Sequence, residues 1–300
     1  MASAYFDLFM LDRAIEVDRD LEGIVASMEK AAEAHLASGK GDVVDQLKAQ
    51  AEALKLQADE ETAGAQRVSV SARLATLLDR DPGEPLGPTG VPRLLPALPS
   101  EQLLRDRALE HRPELAEARS AVEAADAQRR LAEAARVPDL GVSAGEMHAF
   151  GAPPGAQDFL FLGVQGNLPV FEGSKTRPRI EAAAAHEDAL KEAAEAMRNQ
   201  VLADVADAYA HVAAEEHLVH LHHRLIPLSR QTLDSAIASY AAGRSDFLTV
   251  LDSARELQMH ELDLAAHLGA YEQGLAHLEH AVGEDLGLAD HAEGGTLEAH

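Results

Sequence analysis

Apolar residues recur with a seven-residue period along residues 247–282. One heptad position carries Phe247, Ala254, Leu268, Leu275 and Val282, and the position three residues on carries Val250, Leu257, Leu264, Tyr271 and Leu278. Glu261 is the one break in this register. A heptad sustained over this length predicts coiled-coil packing. Leu251 and Leu262 lie off the seam, so we expect this helix to have a second packing neighbour.

A second copy of this pattern lies earlier in the chain at a constant offset. ASAY at 2–5 matches ADAY at 206–209 (206 − 2 = 204), and LASGKGDVVDQL at 36–47 matches YAAGRSDFLTVL at 240–251 (240 − 36 = 204). A gapless match over such a span indicates an internal duplication.

Each copy predicts a helical hairpin. In the second copy Gly243 suits the left-handed position after a helix, and Ser245 or Asp246 can cap the helix that follows. Gly39 and Asp42 hold the corresponding positions in the first copy.

Prolines divide the remaining helical segments. Residues 81–100 contain six prolines and three glycines, which predicts an extended linker. Helix is predicted again from Glu101, with a step at Pro113 and an end at Pro138. A long Ala-rich and Glu-rich helix follows from Arg177, and we expect Pro227 to interrupt it.

Residues 139–171 have the alternation of β-strands. Leu140, Val142 and Ala144 alternate with small residues, and a second strand places Leu160, Leu162, Val164 and Leu168 on one face. Four of the seven Phe residues occur here, at 150, 159, 161 and 171. The pattern fits a pair of outer-membrane strands, but a soluble hairpin that covers a helix fits it equally well. Two strands cannot close a barrel, so a hairpin in lipid would need strands from other protomers or from another part of the chain.

The charge balance limits the classes of partner. There are 26 Lys and Arg residues against 51 Asp and Glu residues, a net charge of −25, so we expect no nucleic-acid partner. An acidic surface is compatible with cation passage but is more often a matter of solubility. Cysteine is absent, which excludes disulfides and thiolate metal sites. No apolar run reaches the roughly 18 residues of a membrane-spanning helix, and we find no signal-peptide pattern at the start.

Motifs of catalysis are not found in the sequence. It has no phosphate loop, dinucleotide-binding glycine pattern, HExxH or nucleophile elbow, so we expect no enzyme, no catalytic residue and no cofactor. Histidines at helical spacing are the one candidate for metal binding, and they are His217, His220 and His223, with His277 and His280. We interpret them as parts of hydrated helix faces and expect no metal site.

The order of the parts resembles the TolC-like outer-membrane efflux proteins. RPEL before an Ala-rich helix, PDL at the start of a strand, LPVF before Gly173, then ADAY and YAAGRSDFLTVLDSAREL follow that family's order. The resemblance covers residues 1 to about 285.

The resemblance implies a mainly α fold with long antiparallel coiled-coil hairpins that form an α-barrel tunnel. A short antiparallel β-hairpin would contribute to the transmembrane β-barrel of a homotrimer, in which each full-length chain gives four strands to one twelve-stranded barrel. Pro169, Phe171 and Gly173 would form the hinge from strand to helix, and Leu160, Leu162, Val164 and Leu168 would face the membrane. At 1.5 Å per residue, Arg177–Arg224 would cross roughly 70 Å.

The resemblance also places functional positions. Gly39, Lys40, Gly243 and Arg244 would lie at the periplasmic tips that meet the adaptor protein. Asp252 would line the closed aperture, and Asp45 would join the network that holds it shut. Thr249 stands where relatives carry a further aspartate, which puts a double acidic ring in doubt.

We divide the chain accordingly. The predicted parts are a first-repeat hairpin (1–80), a linker (81–100), a helix of the second repeat (101–138), a β-barrel hairpin (139–171), the second-repeat long helices (172–285) and a disordered tail (286–300). Full family members carry a signal peptide, a helix and a strand pair ahead of the segment that matches Met1. We therefore expect a truncated copy, a fragment or a misplaced start codon, with only six strands in a trimer.

The predicted function is a passive export duct in the outer membrane with a periplasmic extension, for small molecules or metal ions. It would serve a tripartite efflux pump or a type I secretion system. Its partners would be two further protomers, a periplasmic adaptor (membrane fusion) protein, an inner-membrane RND or ABC transporter, and outer-membrane lipid. The alternative is a soluble coiled-coil scaffold or a non-functional truncated relative.

Overall fold

A computed structural model describes residues 2–37, 42–95, 97–137, 139–147, 159–167 and 173–286. Its elements in chain order are α1 (Ala2–Ala37), α2 (Val43–Leu77), α3 (Glu101–His111), α4 (Pro113–Ala134), β1 (Asp139–Met147), β2 (Phe159–Asn167), α5 (Gly173–Ala241) and α6 (Phe247–Val282). The chain divides into two compact units, residues 1–111 with 203–300 and residues 112–202.

Helix boundaries in the two copies agree with the predicted duplication. The first helices of the two hairpins end at Ala37 and Ala241 (241 − 37 = 204), and the second helices begin at Val43 and Phe247 (247 − 43 = 204). Asp42 caps α2 by accepting a hydrogen bond from the Val44 amide, at 3.0 Å. Asp246 caps α6 in the same way through Thr249.

The core of the first unit packs four helices together. A single apolar cluster takes Leu21, Val25 and Met28 from α1, Ala49 and Leu56 from α2, Leu233, Ala236 and Tyr240 from α5, and Phe247, Val250, Leu251, Ala254 and Leu257 from α6. Leu251, which lies off the predicted seam, is buried here. The helix therefore has the second packing neighbour that its sequence indicates.

The seam of α6 is buried as predicted, and α5 has a matching one. On α5 the residues at successive sevens are Val205, Val212, Val219, Ile226, Leu233 and Tyr240, all buried or half-buried. The break at Glu261 is compensated, because Arg230 of α5 donates a hydrogen bond to its carboxylate at 2.8 Å.

The expected interruption at Pro227 is wrong, because α5 is one helix from Gly173 to Ala241. Proline removes one helical hydrogen bond and costs about 3 kcal/mol inside a helix. The flanking side chains Ile226 and Leu233 pack against the core cluster. Burial of each such side chain contributes roughly 1.5–3 kcal/mol, which offsets the proline.

The segment between α2 and α3 forms neither helix nor strand in its described residues. Hydrogen bonds attach this segment to α1 and α6 instead. The Thr89 amide donates to Asp12 at 2.9 Å, the Gly90 amide donates to the Tyr5 hydroxyl at 3.2 Å, and the Leu95 amide donates to the Tyr271 hydroxyl at 3.2 Å.

The second unit contains α4, the two strands and the start of α5 up to Leu202. α4 begins at Pro113, as the predicted step requires. β1 and β2 pair antiparallel, with Val142 opposite Val164 and Ala144 opposite Leu162. Arg129 of α4 donates to Glu187 of α5 at 2.6 Å. In the described part of the chain, no helix combines the length and apolar character needed to cross a bilayer.

Candidate functional site

The turn between α5 and α6 is an ordered helix end. Gly243 has a φ of 67°, in the left-handed region that favours glycine. Its amide donates to the Tyr240 carbonyl at 2.8 Å, and the Arg244 amide donates to the Ser239 carbonyl at 2.9 Å. These two bonds form a Schellman motif, which satisfies carbonyls at the end of α5. The structure thus places Gly243 and Arg244 at a hairpin tip, while Gly39 and Lys40 lie outside the described residues.

Acidic residues flank this tip. Asp246 accepts from the Thr249 amide at 2.9 Å and from the Thr249 hydroxyl at 2.5 Å, and these bonds hold the pKa of Asp246 below its usual value. Thr249, which stands where relatives carry a further aspartate, is therefore part of the cap of α6. Asp252 is exposed on α6, and Asp45 is half-buried in the first turn of α2. Their roles at an aperture remain predictions.

Charged contacts connect the helices behind the tip. Arg255 of α6 donates twice to Glu52 of α2, from Nε at 3.1 Å and from Nη2 at 2.5 Å. The side chain of Glu52 is only 5% exposed. Gln258 of α6 donates to Asp18 of α1 at 2.7 Å. Contacts of α6 with both helices of the first copy therefore include buried carboxylates.

One face of the β-hairpin is mostly apolar, with Glu146, opposite Leu160, as its charged residue. Leu160, Leu162 and Val164 are 82%, 77% and 72% exposed. On β1, Leu140 and Val142 are 77% and 74% exposed on the same face. Soluble proteins rarely leave a sheet face of this kind uncovered. Leu168, Pro169 and Phe171 lie outside the described residues, and Gly173 begins α5.

The histidines singled out by spacing are not brought together at a site. His217, His220, His223, His277 and His280 are all exposed. Three other side chains converge instead between α5 and α6. One ligand atom each from His222, His260 and Asp263 lies within 4.8 Å of the others. We call this group the histidine cluster.

The histidine cluster is largely shielded from water. His222 is 8% exposed, and the side chain of His260 is 14% exposed. Burial lowers the pKa of His222, as do the nearby rings of His267 and His260, while Asp263 acts in the opposite direction. The lowered pKa of His222 favours its neutral imidazole, which is the form that binds metal ions.

His267 adjoins the histidine cluster. Its ring centroid lies 5.1 Å from that of His222. Its Nδ1 lies 2.8 Å from Oε2 of Glu215, which fixes the ring orientation. Glu215 lies on α5, seven residues before His222.

Sequence reasoning missed the histidine cluster because it traced the heptad on α6 alone. Extended to α5, the seam that contains Val219 and Ile226 places His222 at the intervening core position. On α6, His260, Asp263 and His267 have spacings of three and four residues, which share one helix face. In an antiparallel hairpin centred near Gly243, His222 lies level with that face.

A family model described as Outer membrane efflux protein matches residues 104–284 of the chain. Among curated proteins, the chain is 23% identical over 283 residues to the cobalt-zinc-cadmium resistance protein CzcC of Cupriavidus metallidurans. That match covers 93% of the chain and 66% of CzcC.

Solved structures share the fold. The outer-membrane channel OprN matches with a TM-score of 0.75 at 23% identity, over 94% of the chain and 64% of OprN. CusC matches with a TM-score of 0.75 at 21% identity, over 94% of the chain and 67% of CusC. The CusC structures describe conformational changes that accompany folding and transmembrane channel formation. VceC of Vibrio cholerae matches with a TM-score of 0.73 at 22% identity, over 94% of the chain and 68% of VceC. The mainly helical fold with a short β-hairpin is thus confirmed, and the chain spans about two thirds of the length of these relatives.

Proposed function

The chain belongs to the outer membrane efflux protein family, and we propose that it forms part of a passive export duct across the outer membrane and periplasm. In this proposal three copies assemble around one axis, and an inner-membrane transporter of the RND or ABC class supplies the energy through a periplasmic adaptor protein. The chain itself performs no catalysis.

The exposed apolar face of the β-hairpin is the observation that carries the proposal. Leu162 and Val164 on β2 stand beside Ala144 and Val142 on β1, and the opposite face carries Ser143 and Gln165. From Leu140 to Ala144 and from Leu162 to Gly166, apolar residues alternate with small or polar ones, which is the pattern of outer-membrane strands. Phe161 on the opposite face and Glu146 on the apolar face are the exceptions. A soluble scaffold would have to cover this face with another part of its own chain.

The hairpin tip between α5 and α6 supports a docking role. Gly243 and Arg244 form a compact turn with its carbonyls satisfied, so the tip can present a fixed surface. We assign adaptor contact to this turn and to the corresponding sequence positions of the first copy, Gly39 and Lys40. Asp252 and Asp45 would then lie near the narrow end of the duct.

Divalent metal ions are the favoured cargo class. The curated relative CzcC is named for resistance to cobalt, zinc and cadmium, and the net charge of −25 favours cations over anions inside a narrow duct. Small organic molecules remain the second cargo class, since OprN and VceC share the fold equally well.

Two single-charge variants of β2 test the proposal. Leu162→Glu places a carboxylate on the apolar face, where it costs about 1–3 kcal/mol against lipid. Gln165→Glu adds the same charge to the opposite face of the same strand. In cells that produce the full gene product, we expect Leu162→Glu to reduce the protein in the outer-membrane fraction and to raise cellular Zn²⁺ or Co²⁺ accumulation.

Gln165→Glu is expected to leave both quantities near the wild-type values. Equal behaviour of the two variants, with wild-type protein in the soluble fraction, would favour the coiled-coil scaffold. Correct insertion of wild-type protein without any effect on metal accumulation would retain the duct and remove metal ions as its cargo.

A further inference from the structure

We propose that the histidine cluster is a resident binding site for one divalent transition-metal ion, with His222, His260 and Asp263 as its protein ligands. The site goes beyond the proposed duct, because its ligands belong to the packed α5–α6 pair and would bind the ion whatever the duct carries.

The geometry of the histidine cluster fits a single ion. Its three ligand atoms lie within 4.8 Å of one another. Ligands at about 2.0–2.2 Å from a tetrahedral ion are roughly 3.4 Å apart. The ligand atoms would therefore have to approach one another by at most about 1.4 Å to hold such an ion.

Unpartnered nitrogens are the second observation. Nδ1 of His222 and Nδ1 of His260 are buried, and neither has a hydrogen-bond partner among the described residues. Most buried polar atoms in folded proteins have a hydrogen-bond partner, and a position that binds an ion is one reason for an exception. A metal ion bound through both Nδ1 atoms would satisfy them together.

The donor set indicates which ions bind. Two imidazoles and one carboxylate suit Zn²⁺, Co²⁺ or Ni²⁺, whereas Mg²⁺ and Ca²⁺ prefer oxygen ligands alone. The chain has no cysteine to favour soft Cu(I). Three protein ligands leave a fourth tetrahedral position for water.

Neighbouring residues can support the site. His267 lies beside His222 and is held by Glu215 at 2.8 Å. Residues that hydrogen-bond a metal ligand typically change metal affinity by about 10–100-fold when they are replaced. His267 and Glu215 do not bond to the ligands directly, so we expect their effect to be smaller. Because His222 belongs to α5 and the other two ligands belong to α6, a bound ion would tie the two helices together at this level.

Co²⁺ titration of the purified full chain tests the proposal, with visible absorption as the signal of a tetrahedral nitrogen and oxygen site. We expect one equivalent to bind and Zn²⁺ to displace it. His222→Gln and Asp263→Asn should each weaken binding by about 100-fold or more, and Glu215→Gln, which contacts His267 rather than a ligand, by less than about 10-fold. Zn²⁺ should also raise the melting temperature of the wild type, because it binds the folded state alone.

The matched control removes the exposed histidines of the same helix. A variant with His217→Ala, His220→Ala and His223→Ala together should keep the wild-type affinity. Loss of binding in this variant, with binding retained in His222→Gln, would overturn the proposal in favour of adventitious surface binding. Absence of a one-equivalent site in the folded wild type would also overturn it.

These outcomes are separable from those of the duct proposal. Metal binding is measured on purified protein in detergent, without an adaptor or a transporter. If His222→Gln proves unstable, Asp263→Asn at the half-buried edge of the cluster carries the same test.

Discussion

The ion pair between Arg255 of α6 and Glu52 of α2 tests how the two copies of the duplication are held together. Arg255 donates two hydrogen bonds to Glu52, at 3.1 and 2.5 Å. The carboxylate is 5% exposed, while the arginine side chain is 44% exposed. Arg255→Met keeps most of the aliphatic stem and removes the charge, so that Glu52 is left buried without its partner.

The free-energy cost of Arg255→Met follows from the exposed fractions of these two side chains. Removal of one partner from a fully buried ion pair costs about 3–5 kcal/mol. Water can reach Glu52 through the half-exposed position of Arg255 and replace part of the lost hydrogen bonding. We therefore expect about 2 kcal/mol. Since about 1.4 kcal/mol corresponds to a factor of ten, the equilibrium for local opening should rise roughly 30-fold.

Hydrogen exchange of the backbone amides in α2 and α6 measures this opening. Exchange near Glu52 should be roughly 30-fold faster in Arg255→Met. The double variant Glu52→Gln with Arg255→Met should return most of the way to wild type, because no buried charge remains. The exposed pair Arg73–Asp7, with side chains 58% and 45% exposed, supplies the control. Arg73→Met should change exchange by less than about fivefold.

The reasoning is refuted if Arg255→Met accelerates exchange no more than Arg73→Met does. It is also refuted if the double variant is no better protected than Arg255→Met alone. In either case the two copies are held together by apolar packing, and the buried carboxylate adds nothing to it.

Two further predictions concern the tip and a buried carboxyl group. Gly243→Val forces a β-branched residue to a φ of 67°, which should cost about 1–3 kcal/mol of stability and lower the melting temperature. Gly64→Val, at a helical glycine with open space around it, should not lower the melting temperature in this way. Equal losses in the two variants would refute the tip geometry. Burial raises the pKa of Glu272 to about 7 from 4.5, so the folded state holds this proton more tightly than the unfolded chain does. The stabilisation is complete below pH 4.5 and is lost as the pH rises to about 7, a difference of about 3 kcal/mol. Glu272→Gln should remove that slope from melting curves taken between pH 5 and 8, and parallel curves for the two proteins would contradict the assignment.

Local patterns were sufficient for much of the fold. The heptad of α6 identifies its buried seam, and the sequence around Gly243 identifies the turn between α5 and α6. Both features depend on residues that are close in sequence. The alternation at Leu160–Val164 likewise identifies β2. Pro227 was misjudged because its effect depends on Ile226 and Leu233, whose burial against another helix offsets the local penalty.

The candidate sites depended more on contacts between distant residues. Glu261 was recognised only as a break, since its partner Arg230 lies on another helix. The exposed histidines were candidates because of their spacing on one helix, whereas His222 lies close to His260 and Asp263 across a helical hairpin. A pattern within one helix cannot show such a pairing until the register of both helices is known.

The duplication shows that the histidine cluster is a property of the second copy alone. Subtracting the offset of 204 puts Asp18 at the position of His222, Leu56 at that of His260, and Asp59 at that of Asp263. Asp18 is buried, and its pKa is raised by burial and to a lesser degree by Asp59. The first copy thus keeps two carboxylates at these positions, but it fills the remaining one with the core residue Leu56. It lacks both imidazoles, and Asp18 is already bound by Gln258 at 2.7 Å. The same helical scaffold therefore serves packing between the copies at one level and, in our proposal, metal binding at the other, so replacement of His222 should leave the contacts of Asp18 intact.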